Sequence, residues 1–182
     1  MKYLILLATI MTMATAASAH DITDEGRIEF REGEIEIVDG DTVWIGIHQI
    51  RLHGIDTVET DQQCTRDDVN VGSHELTLNA LREFTSAPDF HCDGHIGNGE
   101  KPKTNRGRYV ATCYASDVEV NRAMVESGWA FAANTAEARE LYGSAQADAE
   151  NAGLGLHAFD DVQKPWEARR AKRKDADCTC EN

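Results

Sequence analysis

VDGDTVWIGIHQIRLHGIDTVE, residues 38–59, decides how the chain reads. Asp39, Asp41, Asp56 and Glu59 stand toward its two ends, and Arg51 lies between them. Val43 and Ile45 alternate ahead of Gly46, and Ile50 and Leu52 alternate with Arg51 and His53. Just upstream, Ile35 and Ile37 alternate with glutamates. This period of two predicts three antiparallel strands, the first two joined at an Asp-Gly turn. In the third strand Ile50 and Leu52 are expected to face the core, which leaves Arg51 on the opposite face or in a cleft.

One hairpin can bring the two acidic clusters together. Four carboxylates in one place repel each other and would repel a phosphate. A hard cation such as Ca²⁺, which takes oxygen ligands in loose geometry, makes sense of such a cluster. The neighbouring guanidinium then completes a site for an anion that also touches the metal. The pattern therefore points to metal-assisted phosphodiester chemistry. A plainer reading stands beside it: Asp-Gly is a common turn signal, and Asp56-Thr57 can simply begin a loop. Asp39-Gly40-Asp41 is not an EF-hand loop, because the later ligand positions are absent.

Working outward, Ser73 reads as the N-cap of a helix carrying Leu76, Ala80, Leu81 and Phe84, ending near Thr85 ahead of Pro88. Residues 90–96 and 109–114 read as a second strand pair around a Gly-, Lys- and Asn-rich loop. Val120, Met124 and Val125 suggest a short helix ending at Gly128. A stronger helix is predicted over 136–151, with Leu141, Tyr142, Ala145 and Ala149 on its apolar side. Strand count and order predict an α+β fold: a five-stranded OB-fold β-barrel with about three packed helices. Fold alone does not assign function.

The first residues, 1–19, read as a signal peptide: Lys2, a short apolar run, and Ala17-Ser18-Ala19 before His20. The expected organisation is that signal, a lead-in over 20–33, the domain over 34–160, and a basic, Cys-containing tail over 161–182. Export, to periplasm or medium, permits disulfides among Cys64, Cys92, Cys113, Cys178 and Cys180, one of which must be left over. Cys92 and Cys113, on the two later strands, are the expected bridge, with two buried thiols as the alternative. Cys64 is a candidate partner for Cys178 or Cys180. The formal charge of −14 is awkward for a nucleic-acid enzyme, whose partner is a polyanion. Ten of the eighteen basic residues, however, fall in two clusters, 101–108 and 164–174. The second reads equally as a nucleic-acid footprint or a solvated helix face.

The ordered set Asp39-Gly40-Asp41-Thr42, Arg51-Leu52, Ile55-Asp56-Thr57-Val58-Glu59, Gly107-Arg108, Val120-Asn121, Met124-Val125 and Gly128-Trp129-Ala130 resembles the staphylococcal-nuclease-like (thermonuclease) family. The resemblance runs from about Glu34 to Trp166. It implies that Asp41 and Asp56 bind Ca²⁺ with help from the carbonyl of Thr57. It further implies that Glu59 is the general base and that Arg51 and Arg108 grip the phosphate of DNA or RNA. Val58 stands where the family usually has proline. Thr104-Asn105-Arg106 replaces the usual approach to the second arginine, and Asn134 and Ala136 replace two tyrosines that pack on the nucleotide. The first difference bears on the loop that aims Glu59, and the others on substrate grip. By this resemblance Asp39 is a turn or supporting residue. His53 is a modest candidate for substrate contact. The expectation is an exported, monomeric, Ca²⁺-dependent nuclease with no membrane association after signal cleavage. The alternatives are a non-catalytic OB module that binds nucleic acid or protein, and a Ca²⁺-stabilised extracellular domain.

Overall fold

A computed structural model of the chain describes residues 21–22, 28–30, 34–62, 64–66, 69–95 and 104–178. The predicted signal peptide, Lys101, Lys103 and Cys180 lie outside the described residues. Two short strands, β1 (Asp21–Ile22) and β2 (Ile28–Phe30), precede β3 (Ile35–Asp39), β4 (Thr42–Ile45) and β5 (His48–Leu52). The last three pair antiparallel in chain order, as the alternation predicts. Ile50 and Leu52 are buried, and Arg51 between them lines a cleft.

The chain continues through β6 (Ile55–Asp56), β7 (Cys64–Arg66), β8 (Val69–Val71) and helix α1 (Ser73–Thr85). Next come β9 (His91–Gly94), β10 (Thr104–Asn105), β11 (Arg108–Ala115), β12 (Val118–Glu119) and α2 (Val120–Glu126). It ends with β13 (Phe131–Ala132), α3 (Ala136–Ala152), a 3₁₀ turn (Gly155–Ala158) and α4 (Pro165–Cys178). β11 is the central strand. It pairs antiparallel with β9 and parallel with β5, giving the order β3-β4-β5-β11-β9, with β2 added outside β9. This curled sheet with packed helices is the expected α+β OB-type fold.

The core lies between sheet and helices and includes Phe30, Val43, Ile45, Ile50, Leu52, Leu81, Met124 and Tyr142, each at most 2% exposed. Burying each such aliphatic or aromatic side chain contributes about 1.5–3 kcal/mol. Where β5 and β11 diverge, buried Asn121 holds them. Its Nδ2 donates to the carbonyls of His53 and Ala111, and its Oδ1 accepts from the Cys113 amide. Cys92 and Cys113 face each other in the β9–β11 register and form a disulfide.

Several local expectations change. Ser73 is the first helical residue of α1 rather than its cap. Its Oγ donates to the Gln62 carbonyl at 2.8 Å, and Gly72 occupies the cap position. In α3 the buried face is Ala138, Tyr142, Ala145 and Ala149, while Leu141 is 39% exposed, because the stripe advances by four and three residues. Cys64 is a free thiol with no bridge to the tail: it is fully buried on β7. Residues 165–178, within the segment read as a tail, form a fourth helix that returns to the domain. Trp166 packs edge-on against Phe131 in a small apolar cluster with Val58 and Leu156.

Candidate active site

The Asp39–Asp41 turn sits under the loop that follows β6 because Gly40 has no side chain. A Cβ there would lie 2.4 Å from Thr77 Cγ2 and 2.8 Å from Thr57 Oγ1. That close approach brings Asp41, on the turn, toward Asp56, at the end of β6. Both are buried, as is Thr57. Asp39 faces its own turn, accepting from the Gly40 amide at 2.8 Å, the role expected of a turn residue.

The predicted carboxylates do not pack directly against one another; guanidinium groups separate them. Arg51 Nη1 donates to Asp41 Oδ1 at 2.7 Å, and its Nη2 donates to Asp56 Oδ1 at 3.3 Å. Arg169, from α4, then spans Asp56 and Glu59. Its Nη2 donates to Asp56 Oδ2 at 2.5 Å, and its Nη1 donates to Glu59 Oε1 at 2.5 Å and Asp56 Oδ1 at 3.2 Å. The result is a row of alternating charge: Asp41, Arg51, Asp56, Arg169, Glu59. Alternation of this kind is how five ionic groups share one small space.

Arg108 approaches from the start of β11, where parallel pairing with β5 sets it beside Arg51. Its Nη1 donates to Thr42 Oγ1 at 3.1 Å. Thr42 Oγ1 in turn donates to Asp41 Oδ1 at 2.8 Å. Burial and the neighbouring Arg51 push the Arg108 pKa below its ordinary value. Asp41 is raised to about 6, chiefly by burial, with Arg51 opposing and Asp39 adding to the rise. Arg169 is raised above the ordinary arginine range, first by its hydrogen bond to Asp56.

Together these groups line a cleft of about 370 Å³ whose walls include Asp39, Arg51, Glu59, Asn105, Arg106, Arg108, Arg169 and Arg173. Arg106 and Arg173 widen the basic wall. The structure thus brings Arg51, Glu59 and Arg108 to one cleft and sets Asp41, Asp56 and Thr57 beside it. His53 is buried, lies 3.3 Å from Glu137 with its ring tilted against that of His95, and lines a neighbouring cleft with Arg51 and Asn105. Arg169 and Arg173 belong to the basic cluster 164–174, read from the sequence as a nucleic-acid footprint or a solvated helix face, with no individual role given to either.

Asp41, Asp56 and Glu59 offer only carboxylate oxygens, a donor set suited to a hard cation such as Ca²⁺, and guanidinium charge already sits among them. By donor type these residues suit the implied metal; with the guanidiniums among them they do not form a group of three ligand atoms within 4.8 Å. Elsewhere, Glu29, His91 and Asp93 on β2 and β9 place three ligand atoms within 4.8 Å of one another, outside this cleft.

Residues 49–158 match the family described as staphylococcal nuclease homologue. The chain belongs to that family. The matched span of this staphylococcal nuclease homologue contains Arg51, Asp56, Thr57, Glu59 and Arg108; the Asp39–Asp41 turn lies just before it and Arg169 beyond it. The succinoglycan biosynthesis protein ExoI of Rhizobium meliloti (strain 1021) is a similar protein. It is 33% identical over 138 residues, 73% of this chain and 68% of its own length. Among the described residues, no helix is long and apolar enough to cross a membrane.

Proposed function

We propose that this chain is an exported nuclease that hydrolyses phosphodiester bonds of DNA or RNA with the help of Ca²⁺. The observation that carries the reading is the convergence of Arg51, Glu59 and Arg108 on one cleft, with Asp41 and Asp56 bonded to Arg51 beside it. Asp41 and Asp56, with the Thr57 carbonyl, hold the cation. Bound there, Ca²⁺ supplies Lewis-acid polarisation of the phosphate and neutralises part of its charge. Arg51 and Arg108 receive the phosphate oxygens and stabilise the extra negative charge that builds up as water attacks. Glu59 accepts a proton from that water while its oxygen bonds to phosphorus. The bond to the departing nucleoside oxygen breaks, and that oxygen takes a proton from solvent. The protein acts as a monomer in the periplasm or medium, where the Cys92–Cys113 bridge persists.

The test is cleavage of single-stranded DNA by the mature protein in Ca²⁺ and in chelator. Cleavage in Ca²⁺ alone is expected; none in Ca²⁺, or equal cleavage in chelator, refutes the mechanism. Glu59→Gln should lower the rate about 10²–10⁴-fold with binding largely kept. Equal loss of both would make Glu59 structural. One observation favours a second reading, a non-catalytic nucleic-acid-binding module: Arg169 engages both Asp56 and Glu59. A protein of that kind would bind DNA through the arginine wall and cleave none under any cation.

A further inference from the structure

The grip of α4 on the catalytic loop is uneven along its length. At its start, Pro165 and Ala168 are buried, and Trp166 packs on Phe131. Just ahead of it the Gln163 carbonyl accepts from Gln62 Nε2 at 2.5 Å. Gln62 Oε1 accepts from the Glu59 amide at 3.2 Å, so the base-bearing loop and the root of α4 are tied through one side chain. Beyond Ala168 the character changes: residues 170–174 are all exposed. There, among the described residues, the ties to the domain are ionic, Arg169 to Asp56 and Glu59, and Lys172 to Asp61. Arg169 itself is 38% exposed. A helix rooted by apolar packing and tethered at its outer part by ion pairs can pivot when those pairs are exchanged: Lys172–Asp61 is exposed and screened by salt, and the buried Asp56 can give up Arg169 only to another cation.

We propose that Arg169 is a removable occupant of the cation position, so that α4 and a divalent cation compete for Asp56, and the departure of Arg169 also frees Glu59. The inference rests on the reading that Asp41 and Asp56 hold a cation. Its chemistry is an exchange of ion pairs. With Arg169 in place, both oxygens of Asp56 carry guanidinium hydrogen bonds, and the Glu59 oxygen that accepts from Arg169 is engaged as well. Asp56 is then not free to hold a metal, and Glu59 is held through one of its two oxygens. A cation that takes Asp56 releases the guanidinium. Arg169 and Arg173 are four residues apart on α4, and both line the cleft. Once released they face an entering phosphate together with Arg106 and Arg108. The phosphate of the substrate thus stabilises the open form on the arginine side, as the cation does on the carboxylate side.

The experiment uses the full mature chain. Ca²⁺ affinity is measured by titration calorimetry at low ionic strength for the wild type, Arg169→Gln, and the exposed control Arg170→Gln. In parallel, amide exchange of residues 165–178 is measured for the wild type in Ca²⁺ and in chelator. If the closed form holds about nine molecules in ten, Arg169→Gln should bind Ca²⁺ about tenfold tighter, because apparent affinity falls with the competent fraction. Arg170→Gln should match the wild type, and Ca²⁺ should speed exchange along α4. The wild-type exchange measurement stands even if Arg169→Gln folds poorly. Ca²⁺ bound equally by wild type and Arg169→Gln, or bound with α4 exchange unchanged, overturns the competition and leaves the cation reading intact. No Ca²⁺ binding by any of the three proteins overturns the cation reading and the competition with it.

Discussion

Replacing Asp41 by asparagine should make the metal-free protein more stable at neutral pH. Asp41 is 2% exposed, and its carboxyl is raised to about 6 from an ordinary 3.8, first by burial and against the pull of Arg51. A carboxyl with a raised pKa keeps its proton in the folded state at pH values where the unfolded chain has lost it. Stability from this group is therefore full below about pH 4 and declines as pH rises, until the loss is complete above about pH 6. The two values lie about 2 pH units apart, which corresponds to roughly 3 kcal/mol. Asparagine has nearly the same shape, keeps an oxygen toward Arg51 and Thr42, and does not titrate.

The quantity to measure is the difference in unfolding free energy between Asp41→Asn and wild type, from urea melts at several pH values with chelator present. Other carboxylates titrate in both proteins and cancel. The difference should move by about 3 kcal/mol in favour of the variant between pH 4 and pH 8. A flat difference, or one that moves against the variant as pH rises, would show that pairing with Arg51 outweighs burial. That result would refute the argument. Added Ca²⁺ should restore wild-type stability by mass action at neutral pH and do little for the variant, since only the ionised carboxylate ligates.

Arg108→Ala should lower the cleavage rate about 10²–10³-fold, the usual loss for one preorganised charge-stabilising donor. Its urea midpoint should stay near the wild-type value, since its ties are to Thr42 and the Asn105 carbonyl at the cleft edge. Asn121→Ala leaves the His53 and Ala111 carbonyls and the Cys113 amide without its amide group, and should cost about 3 kcal/mol in denaturant melts. Reducing the Cys92–Cys113 bridge, which spans a sequence separation of 21, should lower stability by about 3 kcal/mol. The shift should be absent from a Cys92→Ala, Cys113→Ala double variant compared in oxidising and reducing buffer.

What could be read from the chain was whatever depends on neighbours in sequence. Period-two alternation places Ile50 and Leu52 inside and Arg51 at the cleft, and the Asp-Gly turn places Asp41 beside it. The parallel pairing of β5 with β11 is of another kind. It joins Arg51 to Val110 across nearly sixty residues, and without it Arg108 would have no reason to stand near Thr42. The family resemblance, not the pattern, pointed to Arg108. Ser73 misled because a helix-start serine can bond locally or reach elsewhere, and here the Gln62 carbonyl was in range. Arg169 was harder still. Its place depends on Trp166 finding Phe131 and on Gln62 finding Gln163, contacts that no local pattern encodes.

The same placement answers the objection raised by a charge of −14. At physiological salt a charge is felt over about 8 Å, so a phosphate in the cleft responds to the cleft walls and not to the chain as a whole. Those walls carry five arginines against two carboxylates, Asp39 and Glu59. Two of the five come from α4. Remove that helix from the cleft and the balance falls from plus three to plus one, or from plus one to minus one once Asp41 and Asp56 beside the cleft are counted. Swing it aside by exchanging Arg169 for a cation, and the positive charge is kept while the carboxylates are freed to work. An acidic chain can therefore hold an anion at this one place, and α4 is the element that makes the place basic.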